Sequence, residues 1–185
     1  MVYRGGALRR PPLPESVMLE GWVAQLRYRQ AMRVLPGGIV LVDLGCGTGG
    51  LLRALDGTYP VRRGFDRPTD ITERVPIASD YADAVTLLAV LEHLSVEGGM
   101  RALREAYRIL RRGGTLVVTT PSWGTDPLLR AMARCRLLDR RQIDEHQTYY
   151  TLGALRRTLE LAGFENVAGG RFELGLNLWA SGRRP

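Results

Sequence analysis

Short apolar runs alternate along the chain with longer segments in which apolar residues recur every three or four positions. The runs have the length of buried strands, and one of them, 83–89, is almost wholly apolar, as in a parallel strand covered on both faces. The alternation of strand and helix predicts an α/β fold, a Rossmann-like doubly wound and mostly parallel sheet with helices on both faces. Strands are predicted at 39–44, 61–65, 83–89 and 115–120, and helices at 15–35, 49–55 and 96–110.

The two ends of the chain differ from this alternating middle. Residues 1–14 contain three prolines and are expected to form an extended arm. The C-terminal part predicts mainly helix over 125–162, with Thr151 as an N-cap, and a closing antiparallel hairpin over 164–182. Residues 15–185 are expected to form one domain. In the first helix the candidate buried positions are Val17, Leu19, Trp22, Val23, Leu26, Ala31 and Met32.

Composition is that of a soluble globular protein, with 185 residues of which 45% are hydrophobic and 24% charged. No apolar run approaches the roughly 20 residues of a membrane helix. The N-terminus lacks the apolar core of a signal peptide. The two cysteines, Cys46 and Cys135, lie far apart and are expected to be free thiols in a reducing compartment, so a cytoplasmic location is expected.

The net charge of +7 raises the possibility of a nucleic-acid partner. All 26 basic residues are arginine, however, and they are spread along the chain. Replacement of every lysine by arginine is typical of a GC-rich genome. We interpret the arginines mainly as solvated faces, which leaves a polyanionic substrate as the alternative.

The segment 40–52 carries the strongest chemical signal. A predicted strand runs into Asp43-x-Gly45-x-Gly47-x-Gly49 and then into a helix. Glycines permit a tight turn and let backbone approach a ligand closely, while a helix N-terminus offers N–H groups and a positive dipole end. Asp43 adds a negative charge that suits an ammonium group. A dinucleotide fingerprint, Gly45-x-Gly47-x-x-Gly50, is also satisfied, but Asp43 would then lie close to a pyrophosphate.

Five further landmarks follow in order. Asp66 ends the second strand 21 residues after Gly45, where a carboxylate can accept hydrogen bonds from ribose hydroxyls or cap a turn. The others are the segment 75–85, Glu92-His93 after the predicted strand 83–89, the Gly113-Gly114 pair before the predicted strand 115–120, and the segment 145–164 with His146 and Tyr149. Together with the glycine motif, these segments resemble the class I S-adenosylmethionine (SAM)-dependent methyltransferases of the small-molecule, methyltransferase-11-like type.

The resemblance implies a set of site residues. His146 and His93 are the candidate catalytic bases, each with a structural hydrogen-bonding role as the alternative. Glu92, Trp123 and Tyr149 are candidate substrate contacts, with an insert at about 122–150 expected over the substrate pocket. The candidate cofactor-binding residues are Asp43, Gly45, Cys46, Gly47, Gly49, Asp66, Asp70, Ile71, Ala89 and Val90. No Cys, His or carboxylate spacing predicts a metal site.

The implied function is SAM-dependent methyl transfer to O, N or C of a small molecule such as a metabolite, lipid or sugar precursor. The Asn/Asp-Pro-Pro-Tyr/Phe signature of amino methyltransferases is absent from the sequence, which argues against adenine-N6 or glutamine methylation. The segment 67–80 leaves little room for the family's usual helix and third strand. The alternatives are an RNA methyltransferase, a non-catalytic SAM-binding partner subunit and an NAD(P)-binding module. The oligomeric state is left open.

Overall fold

The structure is a computed structural model that describes residues 15–125 and 147–185. The strands in this part of the chain are β1 (Val40–Leu44), β2 (Val61–Phe65), β3 (Ala82–Leu88), β4 (Leu110–Pro121), β5 (Glu165–Phe172) and β6 (Asn177–Arg183). They form one mixed sheet in the order β2-β1-β3-β4-β6-β5. β2, β1, β3 and β4 are parallel, whereas β6 is antiparallel to both β4 and β5. The mostly parallel α/β sheet with a C-terminal antiparallel hairpin confirms the predicted fold class.

Helices cover both faces of this sheet. The described helices are α1 (Glu15–Val34), α2 (Gly50–Ala54), α3 (Val96–Ile109) and α4 (Leu152–Leu161), with short 3-10 helices at Leu91–His93, Trp123–Thr125 and Glu173–Gly175. One apolar cluster lies on the α1 and α2 side and includes Ala31, Leu51 and Val117. The larger cluster lies on the α3 and α4 side, with Leu103 and Leu155 at its centre. Two covered faces explain why β3 is buried along nearly its whole length.

Helix ends follow the predicted chemistry. The Thr151 hydroxyl accepts a hydrogen bond from the Ala154 N–H at 3.1 Å, which confirms Thr151 as the N-cap of α4. Ser95 caps α3 in the same way, through the Gly98 N–H at 3.1 Å. These caps place the start of both helices near the carboxyl edge of the sheet.

Two local predictions are wrong. Trp22 and Met32 of α1 are 61% and 37% exposed, because Ala31 occupies the buried face of that helix. β4 begins at Leu110 rather than at residue 115, because Leu110 already pairs with Ala82. The next pair is Thr115 with Ala84, so the register of the two strands shifts at residues 111–114. The predicted arm at 1–14, most of the insert at 122–150, Cys135 and His146 lie outside the described residues.

Several arginines are structural rather than simply solvated. Arg111 Nε donates to Asp83 Oδ1 at 2.5 Å, and Asp83 Oδ2 accepts the backbone N–H groups of Ile39 and Val40, both at 2.7 Å. Arg108 pairs with Glu105 at 2.6 Å, and Arg184 with Asp80 at 2.7 Å. Part of the positive charge is therefore neutralised within the fold. No helix among the described residues is long and apolar enough to span a membrane.

Candidate functional site

A cavity of about 600 Å³ opens at the carboxyl ends of β1, β2 and β3. This edge is where parallel α/β sheets bind ligands. The cavity is lined by Gly45, Asp66, Arg67, Pro68, Thr69, Asp70, Ile71, Ala89, Val90, His93 and Leu94. The structure thus brings together most of the predicted cofactor residues and one of the two predicted bases.

The glycine loop after β1 is fastened to its neighbours. Gly45, Gly47 and Gly49 have φ of 81°, 50° and 75°, values that favour glycine. The N–H groups of Gly45 and Cys46 both donate to the Phe65 carbonyl, at 2.7 and 3.2 Å. These two N–H groups are therefore used to join β1 to β2. Gly49 precedes α2 as its left-handed N-cap.

Asp43 lies beneath the loop and is only 3% exposed. Its Oδ1 accepts a hydrogen bond from the Thr86 hydroxyl at 2.7 Å. Burial raises the pKa of Asp43 to about 6, against the opposing effect of the Thr86 hydrogen bond, and the nearby charge of Asp66 adds to the rise. Above that pKa, Asp43 holds a negative charge in a low-dielectric position that a ligand cation would stabilise.

Asp66 stands at the end of β2 with its carboxylate exposed. One oxygen, Oδ1, accepts the Arg67 N–H at 2.8 Å, so Asp66 does serve the turn that follows β2. The other, Oδ2, lies 3.9 Å from the position that a Cβ on Gly47 would take. The turn and the ligand interpretations of Asp66 are thus compatible, because each uses a different oxygen.

The short segment after Asp66 builds the outer wall of the cavity without a strand. Asp70 Oδ1 accepts both the N–H and the hydroxyl of Thr72 at 2.8 Å, and these hydrogen bonds lower the pKa of Asp70. Ile71 is 8% exposed and supplies an apolar surface. Arg67, Pro68 and Thr69 line the same wall. These three residues are not among the predicted site residues, although the brevity of the segment is a signal that it replaces the missing strand.

The chain after β3 forms the inner wall. Ala89 has φ of 56°, an unfavourable value for a residue with a Cβ, and its N–H donates to Thr119 O at 2.9 Å. Strained backbone of this kind is typical of functional sites. Of the 3-10 helix Leu91–His93, His93 lines the cavity. The strain at Ala89 has no signal in the sequence, since alanine has no preference for this conformation.

Glu92 is buried beside the cavity rather than exposed in its wall. It is 2% exposed, and its Oε2 accepts a hydrogen bond from the Thr120 hydroxyl at 3.1 Å. Burial raises the pKa of Glu92 to about 7. The sequence predicts that Glu92 contacts the substrate. Its carboxyl is enclosed in this structure, so an acceptor would have to reach that enclosed position to touch it.

The remaining predicted residues lie farther along the same edge. The side chain of Trp123 is exposed, 67% for the whole residue, and its backbone N–H donates to the backbone carbonyl of Tyr150 at 2.9 Å. Tyr149 is half-buried in the chain that returns past Glu92, whose carbonyl accepts the N–H of Gln147 at 2.7 Å.

Cys46 is a half-buried free thiol, and burial raises its pKa. Among the residues described, no group of three or more His, Cys, Asp or Glu could hold a metal ion.

Residues 22–168 match the methyltransferase domain family. That match covers most of the chain, and the chain belongs to the class I SAM-dependent methyltransferases, whose methyl donor is S-adenosylmethionine.

The curated relatives match about half of this chain. It is 29% identical over 108 residues to the tRNA (carboxymethyluridine(34)-5-O)-methyltransferase ALKBH8 of Mus musculus, covering 50% of this chain and 16% of the relative. It is also 29% identical over 99 residues to the tRNA (carboxymethyluridine(34)-5-O)-methyltransferase of Arabidopsis thaliana, covering 46% of this chain and 24% of the relative. The matched regions span a quarter or less of those relatives.

Solved structures share the fold over nearly the whole chain. A SAM-dependent methyltransferase from Archaeoglobus fulgidus superposes with a TM-score of 0.69 at 16% identity, covering 88% of this chain and 94% of that one. A chain from a complex between the Haloferax volcanii Trm112 methyltransferase activator and a methyltransferase gives a TM-score of 0.68 at 18% identity, covering 90% and 93%.

Proposed function

We propose that this protein transfers a methyl group from SAM to an acceptor that approaches over the carboxyl ends of β3 and β4. The observation that supports it best is the cavity of about 600 Å³ between the glycine loop and the segment after β3, in a chain of this family. Its size is within the usual range for small-ligand sites.

The cofactor fits the residues present. The glycine loop leaves backbone uncovered beside Asp66, since a Cβ on Gly47 would have only the Asp66 carboxylate within 4 Å. Asp43 would stabilise the amino group from below, and Gly45, Cys46, Gly47 and Gly49 would surround the methionine end. Asp66 would hold the ribose through Oδ2. Asp70 and Ile71 would contact the adenine, while Ala89 and Val90 would form the floor.

When bound, SAM supplies an electrophilic methyl carbon whose bond to sulfur breaks as a lone pair on O, N or C of the acceptor forms the new bond. The protein's own contribution is alignment of the acceptor and exclusion of water. A hydroxyl acceptor would also lose a proton, which His93 in the cavity wall or His146 would accept on an imidazole nitrogen.

A small-molecule acceptor is the first candidate. The charged residues in the cavity wall are Asp66, Asp70 and Arg67, and Glu92 lies behind it, so the site is not the concentration of positive charge that a polyanion requires.

RNA is the second candidate. The curated relatives named above methylate tRNA, and the net charge of +7 would favour binding to phosphate. Binding through surfaces away from the cavity would be needed to reconcile this candidate with the acidic wall.

The experiment is a calorimetric titration with S-adenosylhomocysteine (SAH) and with NAD, followed by transfer assays with methyl-labelled SAM. We expect SAH to bind with a Kd in the low-micromolar range, a binding free energy of roughly 7–8 kcal/mol, and NAD not to bind. Label should then pass to a small-molecule extract and not to tRNA. Label on tRNA would select the second candidate. SAH binding with transfer to neither would indicate a non-catalytic SAM-binding subunit, and tighter binding of NAD would overturn the proposal.

A further inference from the structure

Three charged side chains near the carboxyl end of β4 come from three separate elements. Arg27 comes from α1, Glu92 from the 3-10 helix after β3, and Glu173 from the 3-10 helix between β5 and β6. α1 packs against β4 and β6, the two strands whose side chains hold the carboxyls of Glu92 and Glu173. Burial raises the pKa of both carboxyls, and the positive charge of Arg27 opposes that rise. We call these three residues the Arg27 cluster.

Two neighbouring polar groups hold the carboxyls in place. The Thr120 hydroxyl donates to Glu92 Oε2 at 3.1 Å, and the Asn177 side-chain amide donates to Glu173 Oε2. β4 and β6 bring these anchors together, because Pro121 pairs with Asn177 at the carboxyl end of β4. Each carboxyl thus has one oxygen positioned by the sheet.

Two polar atoms of this cluster lack a partner. Within residues 15–125 and 147–185, the buried atoms Arg27 Nε and Glu173 Oε1 make no hydrogen bond. Buried polar groups are nearly always hydrogen-bonded, so this unpaired pair indicates atoms that a ligand or water completes. The pair contains one donor and one acceptor.

The backbone that presents Glu173 is strained. Glu173 and Leu174 have φ of 51° and 56°, two consecutive residues other than glycine in a conformation that L residues avoid. Leu174 is fully exposed, so packing of its side chain does not explain the strain. The conformation instead keeps Glu173 half-buried beside Asn177, as expected where a side chain is positioned for a function.

The cluster adjoins the methyl-transfer site. Glu92 directly precedes His93, which lines the cavity, and Ala89 and Val90 of the same segment form the cavity floor. The cluster is therefore on the side from which an acceptor would reach the methyl group.

The unpaired atoms select one ligand chemistry. An ammonium group donates only, and would leave Arg27 Nε unpaired. A phosphate or carboxylate accepts only, and would be repelled by the two glutamates. A hydroxyl accepts from Arg27 and donates to Glu173 at once.

We propose that the Arg27 cluster is an acceptor subsite that binds hydroxyl groups of a neutral polyol, such as a sugar ring, adjacent to the group that is methylated. The proposal rests on the proposed methyltransferase function. The polyol can belong to a small sugar-like molecule or to the ribose of an RNA, since both present vicinal hydroxyls.

The test is saturation-transfer NMR on the SAH-saturated protein with separate probes. Glucose and myo-inositol represent free polyols, cytidine and uridine represent ribose, and inorganic phosphate and ethanolamine are the charged controls. At least one polyol should bind. Arg27→Met and Glu173→Gln should each weaken that binding about tenfold or more, as expected for loss of a hydrogen bond to a charged group. Exposed Arg29 and Glu165 provide the matched controls, and Arg29→Met and Glu165→Gln should leave it unchanged.

SAH affinity in all four variants should stay within about twofold of the wild type, which separates the subsite from the cofactor site. If Arg27→Met does not fold, Glu173→Gln decides, because glutamine keeps the shape of the side chain. Binding of glucose or inositol supports a small-molecule source, and binding of nucleosides alone supports an RNA source.

Absence of polyol binding, or binding equal in wild type and variants, would mean that ordered water alone completes these atoms, and would overturn the subsite. Preference for phosphate or ethanolamine would overturn it as well. Failure of SAH to bind the wild type would instead overturn the proposed function and the acceptor assignment with it.

Discussion

A Cβ atom placed on Gly45 would lie 2.3 Å from Cγ2 of Val90, so the end of β1 and the segment after β3 touch with no room for a side chain between them. Gly45 also has φ of 81° and donates its N–H to Phe65 O at 2.7 Å. The floor of the cavity thus depends on glycine for both its backbone conformation and its closeness to Val90.

Gly45→Ala should disrupt that floor. Gly57 provides the matched control, because it has nearly the same φ, 83°, and nothing within 4 Å of its Cβ position. Gly57→Ala should cost about 1 kcal/mol of stability from backbone strain alone. Gly45→Ala should cost more and should weaken SAH binding by at least about tenfold. Urea unfolding and calorimetry measure the two effects, and equal behaviour of the two variants would contradict the close contact.

Asp66 should hold the cofactor through the oxygen that the turn does not use. Asp66→Asn retains an oxygen for the Arg67 N–H, whereas Asp66→Ala removes both interactions. Loss of a charge-assisted hydrogen bond is worth about 1.5–3 kcal/mol, so both variants should bind SAH at least about tenfold more weakly. Affinities within threefold of wild type, measured by calorimetry on folded protein, would leave only the turn role.

Asp43 should make the stability of the ligand-free protein depend on pH. Its pKa of about 6 in the folded protein lies above the ordinary value of 3.8, so the folded state holds the proton more tightly. The stabilisation that protonated Asp43 gives the folded state is fully present below about pH 4 and is lost as the pH rises through 6. The free energy of unfolding then falls by about 3 kcal/mol at most.

Asp43→Asn should therefore be more stable than wild type at pH 8 and nearly equal at pH 4, while binding SAH more weakly. Asp56→Asn is the control, because the Asp56 side chain is 81% exposed and its ion pair with Arg62 lies at the surface, so this change should alter stability little. Denaturant unfolding at the two pH values measures the difference. A gain that is the same at both pH values would contradict the shifted pKa.

The fold was predictable because its signals are local. The apolar runs of β1 and β3 and the glycine loop are each contained within a few residues, and each predicts its own conformation. Most of the cavity residues followed from topology, since the carboxyl ends of adjacent parallel strands meet at one edge, but the wall residues 67–69 did not.

The Arg27 cluster was not predictable in the same way. Its members come from α1, from the chain after β3 and from the turn before β6, and no spacing in the sequence connects Arg27 with Glu173. Arg27 lies in a chain rich in arginine, where a buried Nε cannot be distinguished from a solvated one. Glu92 was identified by its place after β3, but its enclosure depends on long-range packing against Thr120.

The choice of base is the last prediction. The chain has two histidines, and histidine is the side chain that ordinarily titrates near neutral pH. His93 lies in the cavity wall, whereas His146 falls outside the described residues and precedes Gln147, whose N–H donates to the Glu92 carbonyl. If the acceptor is a hydroxyl, we expect one of them to take its proton, with His146 favoured because it lies in the predicted insert on the substrate side.

With the acceptor found by the transfer assay, His146→Gln should lower turnover by about 10²–10⁴ at saturating SAM and leave SAH affinity intact. His93→Gln is the matched comparison. Losses below about fivefold in both variants would mean that no histidine base is used, which suits an amine or carbanion acceptor.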